Sequence, residues 1–111
     1  MTVYLLNSYN IDDPEMFRGY PPKVAKILPR YGARVLAADT DAKALEGTVR
    51  NMNAIIEFPS EEAVRACYND PEYRAVMPLR LRSVSDCSMI IVKQFAEHPD
   101  DGLLSGVRQI P

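Results

Sequence analysis

Val3-Tyr4-Leu5-Leu6-Asn7-Ser8-Tyr9, with Asp13-Pro14-Glu15 close behind it, is the stretch that decides the fold. Val, Leu and Tyr dominate the first run, which reads as a strand. Asp13 is a helix cap, Pro14 fits the first helical position, and Glu15 faces the positive helix end. A strand that leads directly into a helix opens a strand-helix-strand unit.

Working outward, Phe17, Tyr20, Val24, Ile27, Leu28 and Tyr31 recur at helical spacing and predict one buried stripe. Gly19 and Pro21-Pro22 predict a break or kink in this helix, and Gly32 after Tyr31 predicts its end. Residues 33–38 read as a second strand and 39–51 as a polar, turn-rich connection with a short extension at Ala44-Leu45-Glu46. Residues 52–58 read as a third strand. Ser60, followed by Glu61 and Glu62, caps a second helix. Asn69-Asp70-Pro71-Glu72 interrupts that helix and restarts it as Asp13-Pro14 did. The last strand is expected over 87–95, and 96–111 is a polar tail. The division is thus a domain over 1–95 and a C-terminal arm over 96–111.

The order β-α-β-β-α-β in series predicts an α+β fold: a four-stranded antiparallel sheet with both helices on one face, the ferredoxin-like layout. Strand side chains alternate between faces. Val3 and Leu5 oppose Tyr4 and Leu6; Ala54, Ile56 and Phe58 oppose Ile55; Met89, Ile91 and Phe95 oppose Ile90 and Val92. Both faces are apolar, yet two helices cover only one. An uncovered apolar face is an association surface. The expectation is therefore a homodimer whose sheets pair face to face. The alternative is a monomer whose tail covers that face with Leu103, Leu104, Val107 and Ile110.

Composition narrows the function classes. The 111 residues carry 13 Lys+Arg against 15 Asp+Glu, net −2, without the basic excess of a nucleic-acid binder. Apolar runs such as Met89-Ile90-Ile91-Val92 have strand length, so no membrane span is expected, nor is a signal peptide at Met1-Thr2-Val3-Tyr4. Cys67 and Cys87 form no Cys-x-x-Cys pair, which favours a reduced, cytoplasmic protein. One histidine, His98, and two cysteines make no ordinary zinc site. No metal or cofactor is expected, and no glycine-rich phosphate loop is present.

Arg80 is the most informative charged residue. It shares an apolar stripe with Tyr73, Val76, Met77 and Val84 at spacings of three and four, although Pro78 complicates that helix. A buried guanidinium needs an anionic or hydrogen-bonding partner. It would hold a substrate carboxylate, or else form an internal salt bridge. Glu57, flanked by apolar residues in the third strand, is the candidate general base; the plainer reading is that it braces a helix or meets an arginine. Glu46 and Arg50, beside Gly47 in the long connection, are candidates for a pocket rim. Asn7, Ser8, Tyr9 and Asn10 put polar groups at the end of the first strand and, with Tyr20, would line a cleft mouth. Tyr73 is a further candidate, with a packing role as the alternative. His98 lies in the tail. Neither cysteine has an adjacent histidine to activate it.

Several stretches together carry a resemblance. They are the opening strand with Asp13-Pro14-Glu15, Leu45-Glu46-Gly47, Ile56-Glu57-Phe58-Pro59-Ser60, and the helix Ala63…Ala66-Cys67-Tyr68-Asn69-Asp70-Pro71-Glu72-Tyr73. In order and spacing the chain resembles the family called domain of unknown function thirteen-thirty, of the dimeric α/β-barrel superfamily, over about residues 2–95. The resemblance implies a ferredoxin-like protomer and a homodimer. It implies no reaction, since superfamily relatives include cofactor-free oxygenases, lactone isomerases, haem-degrading enzymes and sensors. The expected function is a cofactor-independent enzyme, of oxygenase or isomerase type, acting on a small organic acid or aromatic metabolite. Arg80 would bind the anion while Glu57 or a tyrosine handles a proton. The alternative is a non-catalytic ligand-binding or interaction module.

Overall fold

The computed structural model describes residues 1–95. The expected arm over 96–111, with His98 and the four tail apolar residues, lies outside the described residues. Four strands, β1 (Val3–Ile11), β2 (Arg34–Asp39), β3 (Met52–Phe58) and β4 (Val84–Lys93), form one antiparallel sheet in the order β2-β3-β1-β4. This is the ferredoxin-like arrangement that the order of elements predicts. Both helical crossovers are split, into α1 (Pro14–Phe17) and α2 (Tyr20–Ile27), and into α3 (Glu61–Tyr68) and α4 (Pro71–Leu81).

The splits follow from local chemistry. Asp13 caps α1 by accepting from the Met16 amide. The break then falls at Arg18-Gly19, just before Pro21-Pro22, which occupy the first turn of α2, where a missing amide costs nothing. A single 3-10 turn (Leu28–Tyr31) follows, ending on Gly32 at φ 69°, a left-handed position that glycine adopts without penalty. Ser60 caps α3 through the Ala63 amide. Asp70 caps α4 through the amides of Glu72 and Tyr73.

β1 and β4 run further than their patterns indicate. β1 continues through Asn10 to Ile11 and β4 starts at Val84, because Asn10 pairs with Ser85 and Ile11 with Val84 beyond a register shift. Val84 therefore belongs to β4, not to the helical stripe of Arg80. Pro78 neither ends nor divides α4, which runs past it to Leu81.

The core lies between the helices and one sheet face. Val3, Tyr9, Ile56 and Phe58 are buried there against Phe17, Tyr20, Ile27, Val64, Tyr73 and Met77. Tyr4, Leu6, Ile55, Ile90 and Val92 occupy the other face, where Leu6 pairs with both Ile55 and Ile90. Ile55 is 39% and Ile90 51% exposed, so no element among the described residues covers this apolar face.

Candidate functional site

Helix α4 positions the site. Tyr73, Val76, Met77 and Arg80 are buried along it, the positions that helical spacing puts on one stripe. Arg80 is only 2% exposed. Its Nη2 donates to the Tyr73 hydroxyl at 3.4 Å and its Nη1 to Cys87 Sγ at 3.4 Å, while Nε has no partner among the described residues. The guanidinium carbon lies 5.9 Å from the centre of the Tyr20 ring. No carboxylate pairs with it among the described residues, although Arg30, Arg34, Arg50 and Arg65 all pair with surface acids. A desolvated positive charge held by two long hydrogen bonds and a ring face lacks the anion that such a group ordinarily requires.

The Tyr20 and Tyr73 hydroxyls lie 2.7 Å apart, bridging α2 and α4. Burial and the neighbouring Tyr73 push the Tyr20 hydroxyl well above the ordinary phenol range. Burial pushes Tyr9 up to about 12, against the pull of Arg80. Burial works against the Arg80 charge as well, but the two tyrosine oxygens outweigh it, so Arg80 titrates above the usual arginine range and stays charged.

Arg80 lines a cavity of about 470 Å³ between the helices and the sheet, within the range of small-molecule sites. Leu5, Ile56, Phe58, Val24, Met89 and Ile91 make its walls apolar; Arg80, Tyr20, Tyr73 and Asn7 add polar groups. Asn7 is 9% exposed, and its Oδ1 has no hydrogen-bond partner among the described residues. An orphaned buried amide of this kind costs about 1–3 kcal/mol. Cys67 and Cys87 also line the cavity. Burial raises the Cys67 thiol to about 11, which removes it as a thiolate near neutral pH.

With this geometry established, comparison with known proteins places the chain. Residues 2–95 match the domain of unknown function DUF1330. The chain belongs to that family. A protein of unknown function from Rhodopseudomonas palustris is 22% identical, with a TM-score of 0.73 over 85% of this chain and 82% of that one. A dimeric ferredoxin-like protein of unknown function from Jannaschia is 10% identical, with a TM-score of 0.68 over 85% of this chain and all of that one, 100%. SnoaB, a cofactor-independent oxygenase from Streptomyces nogalater, is 11% identical, with a TM-score of 0.63 over 84% and 92% of the two chains. At these identities the likeness is one of fold. Comparison with curated proteins returned no match.

In this DUF1330 chain, the fold brings together Arg80, Tyr73, Tyr20 and Asn7 of the residues singled out from sequence. It separates Glu57, Glu46 and Arg50 from them. Glu57 shares the uncovered sheet face with Tyr4 and Ile55, and its carboxylate is 3.4 Å from Arg34. The sheet lies between Glu57 and Arg80, and the Glu57 carboxylate meets Arg34 on the far face. Glu46 and Arg50 line a separate shallow depression with Lys43, Thr48, Ser8 and Asn53. There Arg50 pairs with Asp86 at 2.8 Å and reaches Ser8 at 3.4 Å. They do not rim the Arg80 cavity. Cys87 is the site residue that sequence reasoning passed over; its signal was period-two spacing with Met89 and Ile91, which assigns all three to one face.

Among the described residues no group of three or more His, Cys, Asp and Glu could hold a metal ion, and no helix is long and apolar enough to cross a membrane.

Proposed function

We propose that the Arg80 cavity binds a small organic anion with an apolar or aromatic body, and that the protein turns this molecule over without a cofactor, as an isomerase or oxygenase. The observation that carries the reading is Arg80 itself: a buried guanidinium, unpaired with any carboxylate among the described residues, in the wall of an apolar cavity. An incoming carboxylate or enolate oxygen would satisfy the charge through a forked contact, with the Tyr73 hydroxyl as neighbouring donor. A desolvated site strengthens that interaction and suits stabilisation of negative charge developing on the substrate. The cofactor-independent oxygenase activity of SnoaB on a similar fold lends this reaction class support by analogy.

The protein acts, in this reading, as a homodimer through the sheet face bearing Leu6, Ile55 and Ile90. The apolar character of that face and the dimeric ferredoxin-like relatives support it. Both cysteines are free, which fits a cytoplasmic setting.

A second reading, a ligand-binding module without turnover, has its own observation. The cavity's Tyr20 and Cys67 hold their protons well above neutral pH, and Glu57 lies across the sheet, so none of these three supplies a poised base in the cavity. Screening small carboxylic acids by thermal shift, then following each hit for conversion, separates the two. Turnover abolished by Arg80→Met establishes the enzyme. Stabilisation by a ligand that is recovered unchanged, with and without air, establishes the binder. No stabilising acid would remove both.

A further inference from the structure

Cys67 and Cys87 both line the cavity, yet their settings differ. Cys67 is buried on α3, and burial raises its thiol to about 11. Cys87 is exposed and lies on β4, an edge strand of the sheet. It shares the helix-facing side with Met89 and Ile91, away from the face proposed to join two chains. Its sulfur accepts from Arg80 Nη1 at 3.4 Å. That guanidinium is 2% exposed, and no carboxylate pairs with it among the described residues. The acid next to Cys87 in sequence, Asp86, pairs instead with Arg50 at 2.8 Å. A bulge makes this division. Ser8 pairs with Ser88 and Asn10 with Ser85, so Asp86 and Cys87 together lie opposite Tyr9. Asp86 holds φ 51°, a left-handed position uncommon outside glycine. Bulges re-aim side chains; here Asp86 goes to Arg50 and Cys87 to Arg80.

We propose that Cys87 is a covalent-modification site, a nucleophilic thiol in the cavity wall that takes small, uncharged α,β-unsaturated carbonyl compounds. The thiolate is the nucleophilic form, and a neighbouring arginine favours it in an exposed cysteine. A thiolate also gives the desolvated guanidinium the negative charge it lacks. In the step itself the thiol proton passes to solvent. The sulfur electron pair bonds to the β-carbon, and the alkene electrons move onto the carbonyl oxygen. The enolate then takes a proton from water at the α-carbon, leaving a thioether. The sum is S–H addition across the double bond, with no leaving group, oxidant or reductant. The apolar wall of Leu5, Ile56 and Met89 suits the carbon body of such a molecule. The proposal does not depend on the anion reading, since it needs only the contact between Arg80 and the sulfur.

Timed alkylation of the full chain with acrylamide at pH 7, followed at each cysteine by peptide mass spectrometry, tests this. Cys87 should react at least about fivefold faster in the folded chain than in the chain unfolded by urea, and Cys67 more slowly folded than unfolded. Exposure alone makes a folded cysteine at best as fast as an unfolded one, so the acceleration reports its surroundings. In Arg80→Met the acceleration should disappear; in Arg80→Lys, which keeps a positive charge, part of it should remain. A Cys87 no faster folded than unfolded overturns the proposal, and that comparison needs no variant to fold. Acceleration that survives undiminished in Arg80→Met overturns it too. Benzoate binding that requires Arg80 would stand under either result, so the anion reading is judged apart.

Discussion

The hydroxyls of Tyr20 and Tyr73 meet at 2.7 Å inside the core, and Arg80, two helical turns along from Tyr73, donates to the same Tyr73 oxygen. One contact thus ties α2 to α4 and sets the direction of the guanidinium. Removing the Tyr73 hydroxyl takes from Tyr20 its hydrogen-bond partner, whereas removing the Tyr20 hydroxyl leaves Tyr73 only its long contact with Arg80. Tyr20→Phe and Tyr73→Phe should each destabilise by about 1–3 kcal/mol, whereas the double variant should cost less than the sum of the two. Urea midpoints of the four proteins measure this coupling; additive losses would show that the pair is not a unit.

Arg80 is stabilising only if its charge is compensated. Desolvation opposes it, and among the described residues no carboxylate offsets that cost. Arg80→Met, of similar length and apolar, should leave stability within about 1 kcal/mol of the parent or raise it. A loss of several kcal/mol on chemical denaturation would mean that the guanidinium serves the fold.

Asp70 links the 3-10 turn to α4. It accepts from the Tyr31 hydroxyl and from the Glu72 and Tyr73 amides, with Arg30 nearby. The Tyr31 hydrogen bond is the largest influence holding its carboxyl below the ordinary value. Its stabilising contribution is accordingly full above the unfolded carboxyl value of about 4, and is lost as pH falls through the lower folded value. Asp70→Asn should be less stable than the parent at pH 7 and should lose less on going to pH 3. Urea midpoints at the two pH values check this; parallel losses in both proteins would contradict it.

The uncovered sheet face should hold two chains together. Light scattering at micromolar concentration should give about twice the 12.5 kDa chain mass. Ile90→Lys, which sets a charge opposite Leu6 on that face, should give the single-chain mass with the far-ultraviolet circular dichroism spectrum unchanged. A parent protein at the single-chain mass would refute the dimer.

Local chemistry in the sequence is enough to reach much of this fold. Asp13-Pro14, Ser60-Glu61-Glu62 and Asp70-Pro71 are cap signals that act within a few residues, and each begins a helix where expected. The Tyr73 and Arg80 relationship is likewise local, being a helical repeat. Alternation along β3 already assigns Glu57 to the face of Ile55; what it does not reveal is which face the helices cover, and that determines whether Glu57 reaches the cavity. The 2.7 Å contact of Tyr20 with Tyr73 and the approach of Arg80 to Cys87 depend on how separate elements pack, as does the absence of a partner for Asn7. The extension of β4 back to Val84 is not legible because Ser85 and Asp86 are polar; the pairs Asn10 with Ser85 and Ile11 with Val84, beyond a register shift, carry the strand there.

The central claim is that Arg80 waits for an anion, and the direct measurement is calorimetric titration of the parent and Arg80→Met with benzoate and with its neutral isostere benzamide. The account predicts that benzoate binds the parent, that benzamide binds at least about tenfold more weakly, and that Arg80→Met loses the preference between them. Equal affinity for the acid and the amide in the parent, or an undiminished preference for benzoate in Arg80→Met, would contradict it.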